Sequence, residues 1–158
     1  MSAEEGVIVG LFAMLAGFLI LLLVIGIIMY ILYAIGMFKI AKTLGREDMA
    51  FLAWIPIAQI FLLPLVVEDD VHEQIRGKFT LIFAISWIGS VLLSMAIPIF
   101  GVITLIVQIY GFHVLATRFS ENALVHTIIT IVTLGFAMPI SIFLFRNREP
   151  LPKDEVFE

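Results

Sequence analysis

Cysteine is absent from this chain, and charged residues are scarce. Without cysteine there is no disulfide, no thiol nucleophile and no thiolate-ligated zinc or iron–sulfur centre. Aspartate, glutamate, lysine and arginine together make up 14% of the residues, whereas soluble proteins average about 25%. The net charge of −4 and the lack of a basic stretch exclude a typical nucleic-acid-binding protein.

Apolar residues dominate what is present. The hydrophobic fraction is 62% and the mean hydropathy is +1.16. A chain of 158 residues is too small to bury so much apolar surface inside a water-soluble core. Short charged stretches separate long apolar runs, which is the pattern of loops and membrane spans. The sequence therefore predicts an all-α integral membrane protein, and the lack of cysteine fits a bacterial plasma membrane.

Four apolar runs predict transmembrane helices. The first is preceded by acidic residues and is too long for a signal peptide, so we interpret it as a retained span. Lys39, Lys42 and Arg46 follow it directly, which places this end in the cytoplasm and the N-terminus outside. Pro139 is expected to kink the last run. The predicted spans are residues 7–38, 79–97, 99–117 and 123–145.

The apolar segment 49–67 is ambiguous. Pro56 and Pro64 each remove a backbone donor, and Gln59 places an amide between them. We predict a short re-entrant or interfacial segment, which gives a bundle of four transmembrane helices; the alternative is a fifth span. The positive-inside rule does not decide, because both arrangements put six basic residues inside and three outside. Backbone groups freed by proline favour the four-span arrangement, with both termini outside.

A single helical transmembrane domain is expected over residues 1–145. Residues 146–158 are charged and contain two prolines, so they predict a mobile tail.

Several short stretches carry a resemblance. They are Ala34-Ile35-Gly36, Lys39-Ile40-Ala41-Lys42, Leu44-Gly45, Leu52-Ala53-Trp54-Ile55-Pro56-Ile57 and Arg146-Asn147-Arg148-Glu149-Pro150. With these, most of the chain resembles a loose group of small uncharacterised bacterial multispan membrane proteins, in which a Trp-Ile-Pro-Ile segment follows the first span. The resemblance implies a multispan membrane fold and no particular activity.

Polar residues within apolar segments are the candidate functional residues. Gln108, Tyr110 and His113 cluster in the third span and could line a polar path or bind a headgroup; the simpler interpretation is bonding between helices or an interfacial position. Gln59 is a further binding candidate, because broken membrane helices can expose carbonyls to a ligand. The simpler role for Gln59 is satisfying backbone groups freed by Pro64.

Acidic residues follow the broken segment. Glu68, Asp69, Asp70, His72 and Glu73 could in principle bind a divalent cation, but their spacing fits no defined loop, so no metal site is predicted.

Small residues recur at helical spacing on two spans. Ser86, Ser90 and Ser94 lie four residues apart, and we predict that this face packs against another helix. A similar stripe on the fourth span is its expected partner. That stripe comprises Thr130, Thr133, Ala137 and Ser141.

No catalytic constellation or cofactor motif is recognisable. The sequence favours a non-enzymatic accessory or regulatory membrane protein, with no cofactor, whose partners are the lipid bilayer and another membrane protein or a second copy. The alternative is a small transporter or channel component that uses the segment 49–67.

Overall fold

The structure is a computed structural model that describes residues 3–94, 97 and 100–152. Over these residues it contains helices and no strand, so the prediction of an all-α fold is confirmed. Pro98, between the second and third predicted spans, and the end of the expected mobile tail, from Lys153 onward, lie outside the described residues. The helices are α1 (Ala3–Thr43), a 3-10 helix (Glu47–Trp54), α2 (Pro56–Val67), α3 (Phe79–Ser94), α4 (Phe100–Phe119), α5 (Ala123–Val132) and α6 (Met138–Phe145).

Two of these helices are long and apolar enough to cross a membrane. They are Glu5–Thr43, with 39 residues, and Gly101–Phe119, with 19 residues. Three apolar helices are shorter: Pro56–Val67, Phe79–Ser94 and Ala123–Val132. By length and composition, the chain is thus a candidate for membrane association.

The chain divides into two compact units, the first ending at Ile31 and the second beginning at Leu32. The first unit contains the N-terminal part of α1. Most of its large apolar side chains are exposed, with accessible fractions from 41% at Ile31 to 74% at Met14. Such a surface needs an apolar environment to cover it.

The second unit is built around α4, which packs against α2, α3, α5 and α6. Phe112 and Leu115 of α4 are fully buried. The last turns of α1 also belong to this unit, and there Gly36 lies against α6. A Cβ atom at Gly36 would lie 2.7 Å from Ile142 Cγ2, so this contact requires glycine.

The segment 49–67 is broken once. The 3-10 helix ends at Trp54, Ile55 is extended, and Pro56 begins α2 at a position where its missing N–H costs nothing. Pro64 lies inside α2 and does not end it. The break predicted from two prolines is therefore made by Pro56.

The segment 123–145 differs from the prediction of one kinked span. Helix α5 ends at Val132 and α6 begins at Met138. Leu134 and Gly135 between them have φ values of 50° and 93°, and Pro139 lies in the first turn of α6. The rings of His126 and Phe145 lie 4.8 Å apart, so the two helices form an antiparallel hairpin. The left-handed backbone at Gly135 reverses the chain, which a proline kink alone would not do.

Candidate functional site

Charged and polar side chains from four segments meet at one end of the second unit. Arg46 Nη2 lies 2.6 Å from Asp69 Oδ2, and Arg118 Nε lies 3.3 Å from Asp70 Oδ2. Lys39 Nζ donates to Asn147 Oδ1 at 2.6 Å. We call these six residues the charged rim: Lys39, Arg46, Asp69, Asp70, Arg118 and Asn147.

The Asp70–Arg118 pair is the buried part of the rim. Asp70 is 7% exposed and Arg118 is 8% exposed. The Arg118 guanidinium also donates to the carbonyl of Leu151, and the Leu151 amide donates back to the Arg118 carbonyl at 2.7 Å. A buried ion pair is costly to break because the remaining charge stays in an apolar environment. This pair therefore fixes the loop after α2, the end of α4 and the chain after α6 to one another.

Glu68 holds the start of α3. Its carboxylate accepts from the backbone amides of Phe79 at 2.9 Å and Thr80 at 2.7 Å, and from the Thr80 hydroxyl. A negative charge at a helix N-terminus satisfies free amides and interacts favourably with the helix dipole.

The acidic stretch that could have formed a metal site thus has other partners, since Glu68 caps α3 while Asp69 and Asp70 pair with arginines. Among the residues that the structure describes, no group of three or more His, Asp or Glu side chains could hold a metal ion.

The structure does not bring the four polar candidates together in one site. Gln108 Nε2 lies 3.8 Å from Met138 Sδ on α6, and His113 Nδ1 lies 2.8 Å from Thr127 Oγ1 on α5. The Tyr110 hydroxyl accepts from the His72 amide at 3.2 Å, outside the helices. Gln59 is buried on α2 with 8% exposure. Gln108, Tyr110 and His113 each join α4 to a different segment.

The serine face of α3 packs against α4. Thr104 Oγ1 lies 2.7 Å from Ser90 Oγ and 2.9 Å from the Ser86 carbonyl, and Ser90 is buried. Ser94 bonds to its own helix at the Val91 carbonyl. The prediction that this face packs against the segment 123–145 is wrong. Helix α4 follows α3 directly and returns beside it.

The stripe of the fourth predicted span has other roles. Thr130 is fully buried, and its hydroxyl has no hydrogen-bond partner among the described residues. Thr133 Oγ1 accepts from the Ala137 amide at 3.1 Å and so caps the turn between α5 and α6. Ser141 Oγ lies 3.1 Å from His126 Nδ1.

Sequence reasoning missed the Asp70–Arg118 pair. Arg118 has the position of an ordinary flanking charge after a span, and Asp70 that of one acid in a solvated loop. Neither residue shows in the sequence that it is buried, because the burial comes from segments that are distant along the chain.

No protein-family model, no curated protein and no solved structure matches this chain.

Proposed function

We propose that this chain is a multi-pass helical protein of the plasma membrane, with its N-terminus outside, and that it acts without catalysis by binding another membrane protein or lipids. The exposed apolar surface of residues 7–31 carries the proposal, since it belongs to a helix long enough to cross the bilayer. In a membrane this surface is covered by lipid or by a partner helix.

A non-enzymatic role is supported by the structural contacts that the polar side chains make. Glu68 caps a helix, Asp70 and Arg118 form a buried pair, and His113 joins α4 to α5. Each of these side chains holds segments of the fold together. A catalytic site would instead bring acid, base and nucleophile to one accessible cleft.

The alternative, a small transporter or channel component, is favoured by one observation. Gln59 is a buried amide in the first turn of α2, directly after the break at Ile55. Broken membrane helices are frequent sites of solute binding.

Reconstitution of the purified full-length chain into liposomes separates the two functions. A binding protein produces no flux of ions or small solutes by itself. Flux that Gln59→Leu abolishes, and that the control Gln74→Leu in the exposed loop after α2 leaves unchanged, would overturn the proposal in favour of the transporter. A photo-reactive residue at Phe12, on the exposed surface, is expected to cross-link in native membranes to lipid or to one protein.

A further inference from the structure

The segment between Arg46 and Asp69 begins and ends at the charged rim. Arg46 precedes the 3-10 helix and Asp69 follows α2, yet their side chains lie 2.6 Å apart. The hydrocarbon core of a bilayer is about 30 Å thick, so a segment that crossed it would separate these two residues by at least that distance. Residues 47–67 therefore form a hairpin whose two ends are on the same side.

Helices α5 and α6 form a second hairpin of the same kind. Arg118 lies just before α5, and its carbonyl accepts from Leu151 after α6; Asn147 accepts from Lys39. The helices have 10 and 8 residues, which at 1.5 Å per residue gives about 15 and 12 Å. Both are too short to cross the bilayer, and both hairpin ends adjoin the rim.

The hairpin turn lies inside the bundle. A Cβ atom at Gly135 would lie 3.9 Å from Leu105 Cδ1, near the start of α4 and away from Arg118 at its end. This turn carries no charged residue. The hairpin thus extends from the rim along most of α4.

Helices α3 and α4 cross between the two ends of the unit. Helix α3 begins at the rim, where Glu68 caps Phe79, and α4 returns to the rim at Arg118. Helix α4 has 20 residues and α3 has 16, or about 30 and 24 Å at 1.5 Å per residue. The length of α4 matches the hydrocarbon thickness, and a local thinning of the bilayer accommodates the shorter α3.

We propose that the charged rim is the surface with which this protein meets the cytoplasmic lipid–water interface. Helices α1, α3 and α4 cross the membrane, and the hairpins 47–67 and 123–145 enter from the cytoplasmic side and leave on it. The N-terminus is outside and the chain after α6 is cytoplasmic. The inference rests on the proposed membrane placement and replaces the four-span arrangement.

The distribution of basic residues supports this placement. Every lysine and arginine in the described part of the chain lies in a segment that adjoins the rim. The α3–α4 connection and the turn between α5 and α6 contain none. Each arrangement considered from the sequence left three basic residues outside, whereas this one leaves none, as the positive-inside rule favours. The residues are Lys39, Lys42, Arg46, Arg76, Lys78, Arg118, Arg146 and Arg148.

Contacts near the rim fit a lipid–water interface. The Arg146 guanidinium lies 3.6 Å from the Phe143 ring centroid, and Lys42 Nζ lies 4.6 Å from that of Phe38. Long basic side chains at an interface lie over apolar surface in this way. Away from the rim, the tip of the first hairpin exposes Trp54 and Ile57 with fractions of 47% and 69%, as a segment inserted into lipid would.

Single cysteines in this cysteine-free chain test the inference. The full-length variants Glu5→Cys, Gln74→Cys, Glu121→Cys and Glu149→Cys place thiols at exposed positions. An impermeant maleimide is applied to intact cells and then to permeabilised cells. We expect intact cells to label position 5 only and permeabilised cells to label all four. A C-terminal reporter that fluoresces only in the cytoplasm is expected to be bright.

Two other labelling patterns would overturn the inference. Labelling of position 149 in intact cells, with a dark reporter, would establish four spans and overturn the inference. Labelling of position 74 in intact cells would establish a fifth span through residues 49–67. Release of the wild-type chain from membranes by alkaline carbonate would instead overturn the membrane placement itself, so the two failures are distinguishable.

Discussion

Arg46 and Asp69 form an ion pair across the ends of an uncharged apolar segment, with 2.6 Å between Nη2 and Oδ2. Their side chains are 31% and 65% exposed, so the pair itself contributes at most about 1 kcal/mol to stability. Its importance is geometric, because it brings the end of α1 and the end of α2 to one place. That placement puts both ends of residues 47–67 at the charged rim, which supports the proposed hairpin.

The first prediction tests this placement directly. In the double variant Arg46→Cys/Asp69→Cys, a short bis-maleimide is expected to form an intramolecular cross-link in native membranes, because the two positions adjoin. The matched control Arg46→Cys/Ile97→Cys, with its second thiol beyond α3, is expected to form none. The cross-linked chain is detected by its shifted mobility in a denaturing gel. Equal yields in both variants would contradict the hairpin.

The second prediction concerns the buried pair. Asp70→Asn or Arg118→Gln alone is expected to destabilise the fold by about 3–5 kcal/mol, because each removes one partner of a buried ion pair. The double replacement Asp70→Leu/Arg118→Met should recover most of the loss. Thermal unfolding in detergent, followed by tryptophan fluorescence, measures the effect.

The exposed pair provides the control for that series. Arg46→Gln/Asp69→Asn is expected to change stability by less than about 1 kcal/mol. Equal effects at the two pairs would show that Asp70 and Arg118 are hydrated in the folded protein, contrary to the structure.

The third prediction concerns the contact of α1 with α6. In Gly36→Ala the new Cβ would lie 2.7 Å from Ile142 Cγ2 and 2.8 Å from the Ile142 carbonyl oxygen. The backbone oxygen cannot move aside without moving α6, so we expect a loss of about 1–3 kcal/mol. The control Gly89→Ala lies in α3 with open space around it, and there alanine should stabilise by up to about 1 kcal/mol. Unfolding midpoints that move in the same direction would refute the close contact.

The fourth prediction concerns the cap of α3. Glu68→Ala removes the acceptor for two backbone amides, and losses of about 0.5–2 kcal/mol are typical for such a cap. The effect should be local, with faster hydrogen exchange at the Phe79 and Thr80 amides than in the wild type. The exposed Glu73→Ala is the control, and unchanged exchange in both variants would show that the cap does not persist in solution.

Local pattern was sufficient to locate α3 and α4, but it did not reveal that residues 123–145 form two helices. The expected spans 79–97 and 99–117 correspond to α3 (Phe79–Ser94) and α4 (Phe100–Phe119). Long apolar runs bounded by charges, the break at the prolines of residues 49–67 and the basic end of α1 are properties of neighbouring residues, so one sequence reveals them. The same local information identified His113 and Gln108 as unusual without supplying Thr127 or Met138 as their partners.

Composition and sequence order by themselves determined that this chain is helical, strongly apolar and charged only between its apolar runs. They could not determine which runs cross a membrane, because the number of basic residues on each side was equal for both arrangements considered. Tertiary structure decided that two segments turn back, through the reversal at Gly135 and the contacts Arg46–Asp69 and Lys39–Asn147. These contacts join residues far apart in the chain, and their geometry depends on how α1, α2, α4 and α6 pack together.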